Sequence, residues 1–284
     1  MGKKLRDILT GTIPDDVLSS VYSSYDIVGD IAIIRLNNET EKYGRQIAEA
    51  LMKIHRNVKT VLGQISPVGG EYRLRSLKHL AGEIKTKTIH REHGCLFSVD
   101  LSTCYFSPRL SYERLRIAKS VKADETIVNM FAGAGCFSII IAKHSTARKI
   151  YSIDINPAAV KHMRENIRLN RVDGKVIAIE GDAKDVISHR LKGKADRVIM
   201  PLPEKALQYL PYAVLALKNG RGYIHYYDFE HAAKGENPIK KTEDKVAEKL
   251  KELNVTFEIP FGRIVRTTGP NWYQIVLDIS VTGM

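Results

Sequence analysis

Cysteine is scarce in this chain. Cys95, Cys104 and Cys136 are the whole supply in 284 residues, and no two of them form a C-x-x-C pair. That spacing argues against a disulfide framework and against a bound metal, and buried or inert thiols are expected. Long apolar runs are missing as well: nothing approaches the ~18 residues that a membrane helix needs, so no membrane association is expected. The first residues, M-G-K-K-L-R-D-I-L-T, lack the apolar region of a signal peptide, and a cytoplasmic location is expected. There is no internal repeat, no low-complexity segment and no Walker G-x-x-x-x-G-K-[ST] pattern. Acid is in short supply too. Thirty-two Asp and Glu face 44 Lys and Arg, a net charge of +12. A solvated lysine-rich surface usually carries matching glutamates, whereas an unmatched excess points to a polyanion, most simply nucleic acid. The excess is spread along the chain, with clusters at Arg109–Lys119 and Lys143–Lys149, which suggests a long footprint on phosphates.

What is present is concentrated between Glu125 and Asp154. A β-branched run (Thr126, Ile127, Val128) leads into the turn Gly133-Ala134-Gly135, and an apolar helix pattern opens at Cys136-Phe137-Ser138. A second short strand, Ile150–Ile153, then ends on Asp154. Glycines at the carboxyl end of a parallel strand let a ligand approach the backbone, and an acid closing the next strand takes two hydrogen bonds from a ribose diol. This arrangement reads as a nucleoside-cofactor site; the bland alternative is a tight β–α turn without a ligand. The dinucleotide fingerprint G-x-G-x-x-G/A is not met, because Ser138 stands third and Phe137 beside it. Asn156-Pro157 after the acid suits the start of a helix.

With 44 % hydrophobic residues the chain can hold one large or two modest domains. A short helix and turn are expected over residues 4–20, two short strands around Gly29-Asp30, a helix carrying Tyr43, Ile47, Ala50, Leu51 and Ile54 on one face, a strand at Val58–Leu62, and a hairpin over Lys87–Leu101 turning near Glu92-His93-Gly94. From Tyr112 on, strands and helices alternate, and the last two strands, Thr256–Val265 and Tyr273–Val281, follow without a helix between them. The pattern predicts an α/β fold with a mostly parallel sheet covered on both faces and ending in an antiparallel pair. The expected division is a small α+β domain over residues 1–105 and a larger α/β domain over 106–284.

The F-x-G-x-G turn followed by an acid after the second strand resembles the first two motifs of class I S-adenosylmethionine-dependent methyltransferases. Further motifs occur in order: G-E-Y-R-L-R (Gly70–Arg75), H-L-A-G-E (His79–Glu83), Y-F-S-P-R-L-S-Y-E-R (Tyr105–Arg114), N-M-F-A-G-A-G (Asn129–Gly135), I-D-I-N-P (Ile153–Pro157), R-V-I-M-P-L-P (Arg197–Pro203), Y-I-H-Y-Y (Tyr223–Tyr227) and R-I-V-R-T-T-G-P (Arg263–Pro270). Over nearly the whole chain this series resembles the archaeal and eukaryal tRNA (guanine-37, N1) methyltransferase family, including its archaeal wyosine-pathway branch. The resemblance implies a seven-stranded Rossmann-like class I methyltransferase domain behind a small RNA-positioning α+β domain, S-adenosyl-L-methionine as cofactor and tRNA as partner; no metal and a monomer are expected besides.

The resemblance also implies roles. Glu113 matches the general base and Arg73 the arginine beside the target base oxygen; without the motif they would read as a solvated helix-end acid and a surface ion pair. Asp154 would take the ribose hydroxyls, with Ile155 beside it, and Phe131, Ala132, Gly133 and Gly135 would line the methionine side together with Pro201. Asp182 would meet adenine, although Glu180-Gly181-Asp182-Ala183 reads equally as the N-cap of a helix before Val186-Ile187. Arg109, Arg114, Pro203 and Arg266 would face RNA or the target base.

Two departures matter. Asn129 replaces the usual first-strand acid, and Pro201-Leu202-Pro203 replaces N-L-P, so the asparagine amide at the target base is lost. A pocket without that amide suits a larger, less polar tricycle better than a guanine edge. The expectation adopted is C7-methylation of 4-demethylwyosine at purine 37, in tRNA(Phe). The alternative is N1-methylation of guanosine 37; aminocarboxypropyl transfer and a non-catalytic tRNA-binding module stand further off.

Overall fold

The computed structural model of the chain describes residues 5–283, in two compact units that divide between Ser111 and Tyr112. In the first unit α1 (Leu5–Leu9) and α2 (Asp15–Ser20) precede β1 (Asp26–Val28), β2 (Ile31–Arg35), α3 (Gly44–Ile54), β3 (Thr60–Gln64), β4 (Leu77–Gly82), β5 (Lys87–Glu92) and β6 (Cys95–Asp100). Residue 4, where the first helix was expected to start, lies outside the described residues. The strands β1 to β4 form one sheet in sequence order, with β2 and β3 parallel and the outer pairings antiparallel. Strands β5 and β6 form a separate ribbon, which turns at His93 and Gly94, both at positive φ. Helix α3 buries Ile47, Ala50 and Leu51 against a core that includes Leu9, Val61 and Ile34. The expected strand at 58–62 sits two residues later. Strand β4 was not anticipated: only Ala81 of its six residues is buried, so it carries no apolar alternation.

The second unit follows the alternating pattern. Helix α4 (Ser111–Ser120) leads to β7 (Thr126–Asn129), α5 (Cys136–His144), β8 (Lys149–Asp154), α6 (Pro157–Leu169), β9 (Val176–Glu180) and α7 (Ala183–Val186), which widens into a further turn at Ile187–Leu191. Then come β10 (Arg197–Met200), α8 (Ala206–Ala216), β11 (Gly222–His231), α9 (Pro238–Glu252), β12 (Thr256–Gly269) and β13 (Trp272–Gly283). The seven strands order as β12-β13-β11-β10-β7-β8-β9, parallel except for the two pairings of β13. This is the expected parallel sheet closed by an antiparallel hairpin. Both hairpin strands run longer than their apolar cores. Helix α9 begins four residues earlier than its apolar pattern, because Asn237 caps it by accepting from the Ile239 and Lys240 amides and Pro238 opens its first turn.

Helix α5 shows how the sequence builds this unit. Every residue from Cys136 to Ala142 is buried, and a helix apolar all round belongs inside a protein. It packs on β8 and β9, and the glycine turn before it stands at the carboxyl end of β7, beside β8. All three cysteines are buried and none is in a disulfide. Among the described residues no helix is long and apolar enough to cross a membrane.

Since Ile140 is fully buried on this helix, Ile140→Ala should lower the unfolding free energy by about 2–5 kcal/mol. Denaturant titration with an unchanged midpoint would remove α5 from the core.

Candidate active site

At the carboxyl end of β7 the chain turns through Met130–Gly135. Gly133 has φ +55° and Gly135 φ +87°. A Cβ on Gly135 would lie 3.0 Å from Met163 Cγ and 3.2 Å from Ile139 Cδ1, so side chains of α6 and α5 leave room there for glycine only. The turn is tied to the next strand: the Gly133 amide donates to Asp154 Oδ2 at 2.6 Å, and the Ala132 amide to the Ile153 carbonyl at 2.8 Å. Asp154 Oδ1 accepts from the Asn156 amide at 2.9 Å. Burial pushes the Asp154 carboxyl up from its ordinary value, and the Asn156 and Gly133 amides pull against that rise. A carboxylate offers about four acceptor sites, so two amides leave room for a diol. Asn156 caps α6 through the Ala158 amide, and Pro157 opens the helix, as the sequence indicates.

Phe131 and Asp182 meet through a residue that the sequence did not single out. Tyr209, on α8, donates its hydroxyl to both Asp182 oxygens, at 3.0 and 2.8 Å, and its ring stands edge-on to Phe131 at 5.1 Å. Asp182 also caps α7 by accepting from the Lys184 amide at 2.8 Å, so the N-cap role is real. Nothing near Tyr209 in the sequence marks it; only the fold brings it to Asp182. At the end of β7, Asn129 Nδ2 donates to Ser138 Oγ at 3.0 Å, while its buried Oδ1 has no hydrogen-bond partner among the described residues. A buried acceptor left open beside the glycine turn, with spare lone pairs on Asp154, fits a nucleoside ligand that carries donor groups.

Glu113 lies on α4 and is 1 % exposed. Its Oε2 accepts from Arg116 Nε at 3.1 Å and from the Tyr227 hydroxyl at 3.0 Å. Arg263 Nε stands 3.1 Å from Oε1 without hydrogen-bond alignment, its guanidinium over the Tyr112 ring at 4.6 Å. Arg116 continues to Asp278 through both terminal nitrogens, at 2.6 and 3.1 Å. Asp278 Oδ1 meets His225 Nδ1 at 2.6 Å, and His225 Nε2 meets Arg197 at 2.6 Å. Arg197 closes the chain on both oxygens of Glu125, at 2.7 and 3.0 Å. A guanidinium only donates, so His225 Nε2 accepts and Nδ1–H donates to Asp278: the ring is neutral. Burial lowers the His225 pKa against the pull of Asp278. Asp278 is held well below the usual carboxylate range: burial opposes this, but hydrogen bonds from His225 and Arg116 prevail.

The remaining expected site residues scatter. Arg73 sits at φ +54° in the first unit with its guanidinium over the Tyr105 ring at 4.5 Å. Arg109, also in the first unit, is paired with Asp26 at 2.6 Å. Arg114 is buried in the second unit, 5.9 Å from the Phe137 ring centre. With Arg116 turned inward as well, Arg109–Lys119 is not the continuous solvent-facing basic face that its charges suggested, whereas Lys143 and Arg148 are exposed. Pro201 and Leu202 follow β10 half-buried, Pro203 is buried at the head of a short turn, and Ile155 is half-buried after Asp154. Arg266 donates to Gln274 across the final hairpin at 2.7 Å.

Comparison with known proteins gives matches along most of the chain. Residues 88–256 match the TRM5/TYW2 methyltransferase domain, and residues 5–86 match the TYW2 N-terminal domain. The chain is 39 % identical to the tRNA (guanine(37)-N(1))-methyltransferase Trm5b of Pyrococcus abyssi, covering 95 % of this chain and 78 % of that protein. It is also 39 % identical to the tRNA 4-demethylwyosine(37)-methyltransferase Taw21 of Saccharolobus solfataricus, covering 91 % of this chain and 94 % of the relative. The crystal structure of P. horikoshii TYW2 in complex with MeSAdo superposes with a TM-score of 0.80 at 28 % identity, over 100 % of both chains.

The neutral His225 has a consequence for pH. Unfolded, its imidazole takes a proton below about pH 6.5; folded, its pKa is lowered and it does not. The unfolded state then binds more protons, so stability should fall as pH drops through that window, with a further loss from Asp278 below about pH 4. Unfolding free energies measured from pH 7.5 to 5.5 should show a slope that His225→Gln flattens. Equal slopes for the two proteins would mean that the ring is not held neutral.

Proposed function

The chain belongs to the TRM5/TYW2 methyltransferase family, and on that premise we propose that it methylates C7 of 4-demethylwyosine at position 37 of tRNA. It is an S-adenosylmethionine-dependent enzyme that modifies position 37 of tRNA. The finer assignment is carried by Pro201: at the mouth of β10 the chain offers neither a side-chain amide nor a backbone N–H. A guanine edge docking there would leave polar atoms unpaired, at about 1–3 kcal/mol each, whereas a tricycle with a larger apolar face would not. The TYW2-type first unit supports the tricycle as the target base and does not bear on the group transferred.

When bound, S-adenosylmethionine supplies an electrophilic sulfonium methyl. The chain's own residues do the rest. Asp154 would hold the ribose hydroxyls on its remaining acceptor positions, and Phe131, Tyr209 and Asp182 would form the wall for the adenine, with Ala132, Gly133, Gly135 and Ile155 beside it. Methylation of a ring atom that bears hydrogen leaves a proton to be removed, and Glu113 Oε1, the oxygen with no aligned donor, is the atom with capacity to accept it. Arg73 keeps the role that its motif gives it, stabilising negative charge that develops on the base oxygen. The first unit positions the tRNA, with tRNA(Phe) and its anticodon stem-loop as the target, and the exposed Lys143 and Arg148 add phosphate contacts. The protein acts as a monomer without a metal.

N1-methylation of guanosine 37 is the second reading, favoured by the identity to Trm5b. Nucleoside mass spectrometry decides. Transfer RNA carrying 4-demethylwyosine should gain one methyl mass and tRNA with guanosine 37 little, while Pro201→Asn should raise the guanosine product. N1-methylguanosine from the unaltered protein, with none from the tricycle, would install the second reading; a gain of the aminocarboxypropyl mass would replace both.

The cofactor site is tested separately. Asp154→Ala should weaken S-adenosylmethionine binding roughly 10- to 100-fold by calorimetry, the scale of one or two hydrogen bonds to a charged group. Unchanged affinity would take Asp154 out of the site.

A further inference from the structure

Two motifs noted in the sequence, Tyr223–Tyr227 and Arg263–Pro270, take no part in the cofactor turn. The fold nevertheless brings Tyr227, His225 and Arg263 to the surroundings of Glu113. The two oxygens of Glu113 are treated differently. Oε2 is held by Arg116 Nε and the Tyr227 hydroxyl, and Oε1 has no aligned donor.

This asymmetry has a cause one residue away. A guanidinium beside a carboxylate ordinarily closes on it as a fork, with two parallel N–H···O bonds that engage both oxygens. Arg116 does not, because its terminal nitrogens are claimed by Asp278 at 2.6 and 3.1 Å, while its Nε and one terminal nitrogen both lie 3.1 Å from the single oxygen Oε2. Asp278 is in turn fixed. Its Oδ1 receives the Nδ1–H of His225, its register partner on β11, and Arg197 holds the other side of that ring. Phe261, the register partner of Asp278 on β12, lies under the Arg116 guanidinium at 4.8 Å.

We propose that Asp278, clamped by His225, is a positioning residue: it keeps Arg116 from forking across Glu113, so that Arg116 and Tyr227 bind Oε2 only and Oε1, buried beside Arg263 but without an aligned donor, keeps its lone pairs for the proton. Without Asp278, Arg116 turns onto both oxygens and the base is sequestered. The inference rests on the assignment of Glu113 as the base, and the experiment separates the two.

Turnover is measured per cofactor-binding site, counted by calorimetric titration, so that a loss of folded protein does not register as a loss of rate. Asp278→Asn should lower kcat about 10- to 100-fold, the scale of a displaced reacting group, with KM for tRNA and the cofactor affinity unchanged. Tyr227→Phe, which keeps the ring and removes only the hydroxyl, should lower kcat in the same direction with KM again unchanged. In a Glu113→Gln background neither substitution should slow the residual reaction further, because both act through that carboxylate. Normal kcat in Tyr227→Phe and in folded Asp278→Asn would overturn the proposal, and so would losses that add to that of Glu113→Gln. Full activity of Glu113→Gln itself would instead show that the assignment of the base, on which the proposal stands, is wrong.

Discussion

Arg116 binds two carboxylates at once, and the arrangement of the catalytic unit depends on that bridge. One of them, Glu113, belongs to the helix that enters the unit; the other, Asp278, belongs to its last strand. From this bridge a line of buried contacts runs through His225 and Arg197 to Glu125, just before β7. Glu113, Asp278 and Glu125 face Arg116, Arg197 and Arg263, so the line is balanced in charge only while His225 is neutral. Buried ion pairs of this kind often add little net stability compared with apolar packing, but removing one member leaves a charge uncompensated at a cost of about 3–5 kcal/mol. What the line supplies is placement: it fixes where each oxygen of Glu113 points.

The sheet topology makes the bridge possible. Strand β13 enters between β11 and β12 in the antiparallel sense, which sets Phe261, Asp278 and His225 side by side in one row across three strands. Arg116 lands on that row. A fully parallel continuation would have required a crossover helix in place of the short hairpin. At the other working face, the carboxyl ends of β7 and β8 carry the glycine turn and Asp154, held together by the Ala132 and Gly133 amides of the turn. The glycine turn with Asp154 and the surroundings of Glu113 are thus set by different parts of one sheet.

The sequence was legible where the physics is local. Glycines at positive φ, an acid closing a strand, and Asn-Pro at a helix start are each decided within a few residues, and the turn, Asp154 and α6 stand where those signals put them. The alternation of strand and helix predicted the parallel sheet and its antiparallel end. Asp182 carried two local readings, and its N-cap bond is compatible with an additional partner in Tyr209. The line behind Glu113 was illegible for the opposite reason. Arg116 and Asp278 are 162 residues apart, Arg197 and Glu125 72, and His225 and Asp278 53, so no window along the chain contains any of these three pairs. Charge counting failed at Arg114 and Arg116 because composition does not distinguish an arginine that faces solvent from one turned into the unit. Strand β4 escaped because it lies mostly exposed, without an apolar face to betray it.

The state of His225 is where these contacts are most exposed to measurement. If the ring donates from Nδ1 to Asp278 and accepts at Nε2 from Arg197, nitrogen NMR of histidine-labelled protein should show a neutral imidazole with its proton on Nδ1, unchanged between about pH 5.5 and 7.5, a range in which a free histidine titrates. An imidazolium, or a proton resting on Nε2, would contradict the direction of the whole line from Glu125 to Glu113.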